Sequence, residues 1–183
     1  MESAPFHNDL AEGPDNVEAF WRRASDGVRL RVVHWPAGSS RGTILLFSGR
    51  TEYAEKYGQI ASELTESGYS VVTIDWRGQG LSDRVAEDIR LGHVGSFDDY
   101  QLDVAEVVGA ARDLGCPEPW FMIAHSMGGS GQSSKTYLLK RLYILRQCGG
   151  LAFRFGCGHC PIFCHKFCVF SALESELHQA PVL

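Results

Sequence analysis

The most reactive pattern in the sequence is the pentapeptide at residues 124–128, Ala-His-Ser-Met-Gly. A serine hydroxyl is a poor nucleophile unless the backbone holds it clear of its surroundings and a base removes its proton. A sharp turn from a strand into a helix does the first job, and it needs small residues two positions before and after the serine. Ala124 and Gly128 meet that need. We predict Ser126 as a catalytic nucleophile, with the amide N–H of Met127 aimed at the oxygen of a bound acyl group.

Taken alone, this pentapeptide favours a simpler interpretation, a serine that caps the start of a helix. Its context favours the catalytic interpretation instead. The apolar run at residues 119–124 predicts a buried strand that leads directly into the serine. Ligands gather at the carboxyl ends of the strands of a parallel sheet, so a serine in this position is well placed to contact one.

A second candidate segment is Ser-Gly-Arg-Thr-Glu at residues 48–52, directly after another apolar run. Acyl transfer needs two donors for the developing oxyanion, and the second donor usually comes from a loop after such a strand. Gly49 would let the backbone approach closely, and we assign the donor to the N–H of Arg50. An ordinary strand-to-helix turn fits this segment equally well.

A third segment, residues 75–82, contains the glycines of a tight loop, Gly78 and Gly80. Asp75 and Arg77 carry charges that could tie this loop down through charge-assisted hydrogen bonds. We interpret the loop as a scaffold and not as a source of catalytic groups.

The elements that must position these segments alternate along the chain. Short apolar runs predict strands buried on both faces at residues 43–47, 69–74 and 119–124. Apolar residues at helical spacing predict helices over residues 52–67 and 97–113. Strand, helix, strand, helix, strand is the order of an α/β protein with a parallel sheet and helices on its faces.

The chain before these elements has a different character. Residues 17–24 and 28–35 predict two antiparallel strands, joined by the turn Ser-Asp-Gly at residues 25–27. Residues 1–16 are polar, and we expect them to be flexible. The predicted α/β domain therefore extends over residues 17–130.

In order and spacing, these motifs resemble the lysophospholipase and monoacylglycerol lipase branch of the α/β-hydrolases, which is often described as serine aminopeptidase-like. The resemblance extends from Ala19 to Gly129. It is carried by the following motifs: Ser-Gly-Arg-Thr-Glu-Tyr at 48–53, Glu55-Lys56-Tyr57, Asp-x-Arg-Gly-x-Gly-x-Ser at 75–82, Gly92-His93-Val94, Phe97-Asp98-Asp99-Tyr100 and Ala-His-Ser-Met-Gly-Gly at 124–129.

The resemblance implies cleavage of carboxylic esters in small lipids through an acyl-enzyme, without a metal or an organic cofactor. It also implies an acidic residue and then a histidine long after the nucleophile. The residues that follow Ser126 contain no aspartate, and only His178 follows an acid, by a few residues. We therefore assign neither a catalytic acid nor a catalytic base, and we expect this chain to be inactive or nearly so.

The last part of the chain, residues 131–183, differs in composition from residues 1–130. It contains 6 basic and 2 acidic residues, against 11 basic and 20 acidic residues before it. Five of the six cysteines also lie there. Such a change within one domain indicates an atypical tail, and we interpret it as a segment translated in a shifted reading frame, so that the hydrolase fold is incomplete.

The tail has one rival interpretation. Soft ligands crowd together at Cys157, Cys160, Cys164 and Cys168, and they could bind zinc beside a non-catalytic scaffold, although the spacing between the two pairs is short. Residues 137–145 predict a short amphipathic helix. Its basic face would suit a transient contact with a membrane surface, but a solvated face is the favoured interpretation.

The overall composition narrows the class of protein. The formal net charge is −5, which does not favour nucleic acid as a partner. The first 16 residues show no secretory signal, and no run reaches the roughly 18 apolar residues that span a bilayer. We therefore expect a cytoplasmic protein that acts on a small lipid ester.

Overall fold

The computed structural model describes residues 1–39, 41–84, 88, 91–130 and 142–145. The chain divides into two compact units, Met1–Gln147 and Cys148–Leu183. The second unit lies wholly outside the described residues.

One mixed sheet organises the first unit. Its described strands are Glu2–Ser3 (β1), Glu18–Arg23 (β2), Arg29–Trp35 (β3), Gly42–Phe47 (β4), Tyr69–Asp75 (β5), Trp120–His125 (β6) and Leu142–Leu145 (β7). They lie in the order β1-β2-β3-β5-β4-β6-β7. The first three strands are antiparallel to their neighbours, whereas β5, β4, β6 and β7 run parallel.

The antiparallel part confirms the predicted hairpin. Strands β2 and β3 pair from Glu18 opposite His34 to Arg23 opposite Arg29. Gly27 occupies the turn between them with a φ of 92°, which glycine adopts without steric cost. Strand β3 then pairs with β5 and so joins the hairpin to the parallel part of the sheet.

The parallel part confirms the three predicted buried strands. Every residue of β4 and β5 is buried, as expected for strands that are covered on both faces. Strand β7 corrects one prediction, because residues 142–145 pair in parallel with β6 and not as the end of a helix. An edge position beside β6 provides backbone partners that outweigh a weak helical pattern. The remainder of that predicted helix, residues 137–141, lies outside the described residues.

Along the chain, the longer helices alternate with the parallel strands. A 3-10 helix at Ala54–Tyr57 leads into α2 at Gly58–Glu66, and α3 spans Asp99–Asp113. The apolar face predicted for α3 is buried in the core together with residues from the sheet. The short helix α4, Met127–Ser130, begins directly after the end of β6.

The first sixteen residues, which we expected to be flexible, make specific contacts with this frame. Strand β1 pairs with β2, and a four-residue helix, α1 at Asn8–Ala11, lies against Gly58. The carbonyl of Pro5 accepts a hydrogen bond from Arg31, and the N–H of His7 donates to Glu55. Order in this segment therefore comes from contacts with residues that are distant in sequence.

Across the part of the chain that the structure describes, no helix combines the length and the apolar character that crossing a bilayer requires.

Candidate active site

Ser126 occupies a sharp turn between β6 and α4. Its φ is 50°, in the left-handed region that a residue with a side chain rarely adopts, and it is exposed. Gly128 packs so tightly that a Cβ on it would lie 2.5 Å from the carbonyl oxygen of Phe47 and 2.8 Å from that of Ser48. Ala124 is fully buried. The small residues predicted on either side of the serine thus stand where the chain has no room for larger ones.

The loop after β4 lies beside this turn because β4 and β6 are parallel neighbours. Phe47 pairs with Ala124 at the end of their register. Beyond the paired residues, the loop stays close to the turn, since a Cβ on Gly49 would lie 2.8 Å from His125 Nδ1. Side chains of the two segments also meet, since Glu52 Oε2 lies 2.9 Å from His125 Nδ1.

The amides of Arg50 and Met127, which the sequence singles out as oxyanion donors, have no acceptor among the described residues. The amides on either side of Arg50 are occupied, because the N–H of Gly49 donates to Glu52 and that of Thr51 donates to Gln79. The role of the Arg50 and Met127 amides in binding an oxyanion remains a prediction.

Glu52 is the most connected side chain of the site. It is 7% exposed, and its Oε2 accepts hydrogen bonds from the N–H of Gly49 at 2.6 Å and the hydroxyl of Tyr57 at 2.5 Å. Lys56 donates to Oε1 at 2.5 Å. Burial alone would raise the pKa of Glu52, but these donors together with His125 lower that pKa to about 2. The carboxylate is therefore ionised at neutral pH.

Tyr57 has the opposite response to the same environment. Burial and the neighbouring carboxylate of Glu52 raise the pKa of Tyr57, so its hydroxyl keeps its proton and donates a hydrogen bond to Glu52. Tyr57 thus acts as a neutral donor to Glu52 and not as a base.

The loop after β5 is held by buried charges. Asp75 accepts hydrogen bonds from the N–H groups of Ala54 and Leu81, each at 2.8 Å, and from Arg31 at 2.8 Å. A Cβ on Gly80 would lie 2.1 Å from Asp75 Oδ2, so only glycine fits there. Asp75 thus joins the loops that follow β4 and β5, in keeping with the scaffold role that we predict for it.

Arg77 connects this loop to α3. Its Nε donates to Asp103 at 2.8 Å, and its Nη1 donates to Asp26 at 2.6 Å. Gly78, with a φ of 77°, continues the loop toward the carbonyl of His93. None of these groups forms a hydrogen bond with Ser126 among the described residues, and the scaffold role of the loop stays a prediction.

No general base for Ser126 is present among the described residues. His125 precedes the serine, but its Nδ1 faces Glu52 and its Nε2 is buried without a hydrogen-bond partner. In the described part of the chain, no group of three or more histidine, cysteine and carboxylate side chains could hold a metal ion. The zinc candidates Cys157, Cys160, Cys164 and Cys168, and the late His178, lie outside the described residues.

The sequence interpretation missed several residues of this site. Glu52 appears in the motif at 48–52, but the motif does not reveal that its side chain turns back to the loop backbone. His125 and Gln79 are also unassigned there. The only indication of their role in the sequence is that each lies within a segment that was already a candidate.

The chain is similar in sequence to known proteins. Residues 38–141 match the family described as Serine aminopeptidase, S33. Lysophospholipase L2 of Escherichia coli strain K12 is 36% identical over 121 residues, which cover 61% of this chain and 35% of that protein. Monoacylglycerol lipase of Mycolicibacterium smegmatis is 30% identical over 104 residues, which cover 56% of this chain and 35% of the relative.

The fold has counterparts among solved structures. A highly thermostable carboxyl esterase from Bacillus coagulans, determined in complex with glycerol, superposes with a TM-score of 0.60 at 17% identity. The superposition covers 72% of this chain and 44% of the esterase. This likeness confirms the predicted α/β-hydrolase fold class.

Coverage of the relatives is partial. The chain spans about a third of the length of the curated relatives that it matches, and the matched region contains the described strands from β4 to β6 together with the turn at Ser126. On these grounds the chain belongs to the Serine aminopeptidase, S33 family of α/β-hydrolases.

Proposed function

We propose that this chain carries the nucleophile of a serine hydrolase that cleaves carboxylic esters of lysophospholipids or monoacylglycerols. The observation that carries the proposal is the backbone of Ser126, which has a positive φ and directly follows the carboxyl end of β6, a parallel strand. Strain of this kind persists where the surrounding structure enforces it, and here it leaves the serine exposed in the turn. The names of the related proteins support lipid esters as the substrate class.

The proposed reaction begins with attack of Ser126 Oγ on the ester carbonyl carbon. The amides of Arg50 and Met127 stabilise the negative charge that develops on the carbonyl oxygen. The bond from the carbonyl carbon to the alcohol oxygen then breaks, and the alcohol leaves with the proton that came from the serine. Water releases the acid from the acyl-enzyme by the same steps in the same order.

Proton transfer is the step for which the described residues offer no group. A serine without its base and acid loses most of the rate that a complete triad provides. We therefore propose that this chain reacts slowly with ester substrates, with Ser126 as its nucleophile and the amides of Arg50 and Met127 as its oxyanion donors.

A fluorophosphonate probe tests the proposal directly. The purified chain, incubated at a high probe concentration, is expected to gain one label over hours, and peptide mass spectrometry is expected to place that label on Ser126. The Ser126→Ala variant serves as the control and is expected to gain none. Labelling at other residues alone would contradict the assignment of the nucleophile.

The labelling rate tests the second part of the proposal. A slow rate is expected, because no described side chain removes the proton of the hydroxyl. Complete stoichiometric labelling within seconds would show that an effective base is present, and the expectation of a nearly inactive chain would then be wrong.

A further inference from the structure

The loop that carries the proposed oxyanion donor Arg50 is held on both sides of that residue. On one side, the N–H of Gly49 donates to Glu52 Oε2 at 2.6 Å. On the other side, the N–H of Thr51 donates a short hydrogen bond to Gln79 Oε1. Thr51 has a φ of 63°, so the backbone there is held in a conformation that is costly for threonine. The amide of Arg50 between them has no acceptor among the described residues.

The two side chains that hold the loop also reach the turn at the nucleophile. Glu52 Oε2 lies 2.9 Å from Nδ1 of His125, the residue before Ser126. Gln79 Nε2 lies 3.9 Å from the sulfur of Met127, the residue after Ser126. Each side chain therefore connects one side of the loop to one side of the serine.

The contact with Glu52 determines which nitrogen of the His125 ring carries a proton. An ionised carboxylate only accepts hydrogen bonds, so a separation of 2.9 Å requires a proton on His125 Nδ1. Tyr57 donates its own proton to the same oxygen. The longer contact of 3.4 Å between Tyr57 and His125 then joins two donors and contributes little.

A role in packing alone does not account for these contacts. Both side chains are buried, with 7% of Glu52 and 4% of Gln79 exposed. Burying a charge and an amide is costly unless they are fully hydrogen-bonded. Glu52 Oε2 and Gln79 Oε1 accept from the two amides that flank Arg50, and within residues 49–51 this leaves the Arg50 N–H free.

We propose that Glu52 and Gln79 are positioning residues that hold the loop 49–51 against the nucleophile turn, so that the Arg50 amide alone is free to bind the oxyanion. This inference rests on the proposed function for the meaning of the Arg50 amide. The contacts themselves can be tested without any catalytic activity.

Amide hydrogen exchange, followed by NMR on the full chain, tests the proposal. In the wild type, the amides of Gly49 and Thr51 are expected to be protected, and that of Arg50 is expected to exchange faster than either. In Glu52→Gln, a charge-assisted bond becomes a neutral one, so Gly49 is expected to exchange about tenfold faster. In Gln79→Leu, the side chain has a similar size but no acceptor, and Thr51 is expected to lose protection.

Matched controls separate positioning from general stability. Lys56→Gln removes the partner of Glu52 Oε1 but keeps the oxygen that holds Gly49 and His125. It is expected to leave the exchange of Gly49 within about twofold of the wild type, since that contact is partly exposed. Tyr100→Phe removes the hydroxyl that faces Gln79 but keeps the acceptor of Thr51, and it is expected to leave Thr51 protected.

The nitrogen shifts of the His125 ring provide a spectroscopic signature that packing alone would not change. With Glu52 ionised, the neutral ring is expected to carry its proton on Nδ1. In Glu52→Gln that preference is expected to weaken, whereas in Lys56→Gln it is expected to persist. A ring protonated on Nε2 in the wild type would overturn the Glu52 part of the proposal.

Other outcomes would also overturn it. Unchanged exchange of Gly49 in Glu52→Gln and of Thr51 in Gln79→Leu would show that the loop keeps its conformation without these two side chains. Equal effects in Lys56→Gln and Glu52→Gln would show a loss of general stability. If Glu52→Gln does not fold by circular dichroism, Gln79→Leu with its Tyr100→Phe control carries the test. Failure of the proposed function would appear only in fluorophosphonate labelling, so the two failures are distinguishable.

Discussion

At the scale of single residues, the site depends on positions where one atom more would not fit. Gly128 lies against the carbonyl oxygens of Phe47 and Ser48, and Gly80 lies against the carboxylate of Asp75. The first contact brings the start of α4 against the end of β4, and the second brings the loop after β5 against the side chain of Asp75. The geometry around Ser126 therefore follows from the absence of side chains as much as from their presence.

Replacing Gly128 with alanine tests that conclusion. Alanine favours helices over glycine by about 1 kcal/mol, but its Cβ would meet backbone oxygens that cannot move aside cheaply. We expect Gly128→Ala to lower the free energy of unfolding by roughly 2 kcal/mol, measured by urea denaturation. Gly38→Ala, at a position with no atom within 4 Å of the added carbon, is the control and is expected to have little effect.

The pH dependence of stability is a second prediction at this scale. The pKa of Glu52 falls from an ordinary value of 4.5 to about 2 in the folded chain. A lowered pKa stabilises the fold above the unfolded value, so this contribution is complete above pH 4.5 and disappears as the pH falls toward 2. The difference in unfolding free energy between the wild type and Glu52→Gln should shrink over that range by up to about 3 kcal/mol. A difference that stays constant from pH 5 to pH 2 would contradict the proposed environment of Glu52.

At the scale of elements, helix α3 is tied to the sheet by a buried ion pair as well as by its apolar face. Asp103, in the first half of α3, is fully buried, and it accepts hydrogen bonds from the N–H and the side chain of Arg77 in the loop after β5. Burial raises the pKa of Asp103 to about 6 even though Arg77 opposes the shift. Asp103 and Arg77 are therefore both charged at pH 7, and each buried charge keeps its main compensation only while the other is present.

Removal of one partner is expected to destabilise the fold strongly. Asp103→Ala leaves Arg77, which is 2% exposed, with a single strong partner in Asp26. We expect a loss of about 3 kcal/mol in the free energy of unfolding, because a buried charge loses its main compensation. Asp98→Ala, an exposed carboxylate at the start of the same helix, should change the stability by less than about 1 kcal/mol. Equal effects in the two variants would rule out a special role for the buried pair.

At the scale of the molecule's first unit, the N-terminal segment closes over a buried charge cluster. Arg31 lies between Glu55 and Asp75, at 2.7 and 2.8 Å. Pro5 and His7 supply one further hydrogen bond each to Arg31 and Glu55. The ring of Phe6 packs edge-on against Trp35. A segment that is polar overall thus completes a buried site.

Deletion of residues 1–12 should therefore weaken the fold. Two hydrogen bonds to charged groups and one aromatic contact are lost, which corresponds to a decrease of about 3 kcal/mol in unfolding free energy. Leu10→Ala is the control, because Leu10 is 65% exposed and is expected to contribute little. An unchanged urea midpoint after the deletion would show that the segment is dispensable.

The tail is the remaining question at this scale. Our interpretation of residues 131–183 as a shifted reading frame stays a prediction. Sequencing the gene through the codons of residues 126–132 tests it. A second frame that continues with apolar strands, an aspartate and a later histidine is expected. Confirmation of the present frame without such a continuation would contradict the interpretation and make the tail cysteines the main object of study.

Much of this protein is determined by the sequence itself. The apolar runs of β4, β5 and β6 are continuous because both of their faces are buried, so the period of the pattern identifies them. The small residues around Ser126 identify the turn, because the geometry of a strand that leads into a helix excludes larger ones. Local patterns of this kind can be recognised in the sequence because they follow from steric contacts between residues that are close together in the chain.

Tertiary structure alone decided which distant groups meet. Nothing local indicates that Glu52 would take up the amide of Gly49 and the ring of His125, or that Gln79 would hold Thr51. The strand at residues 142–145 likewise depends on an available edge of β6 and not on its own pattern. Except for the contact of Glu52 with Gly49, these contacts join residues far apart in the chain. They form because β5, β4 and β6 are parallel neighbours, which brings their carboxyl ends to one edge of the sheet.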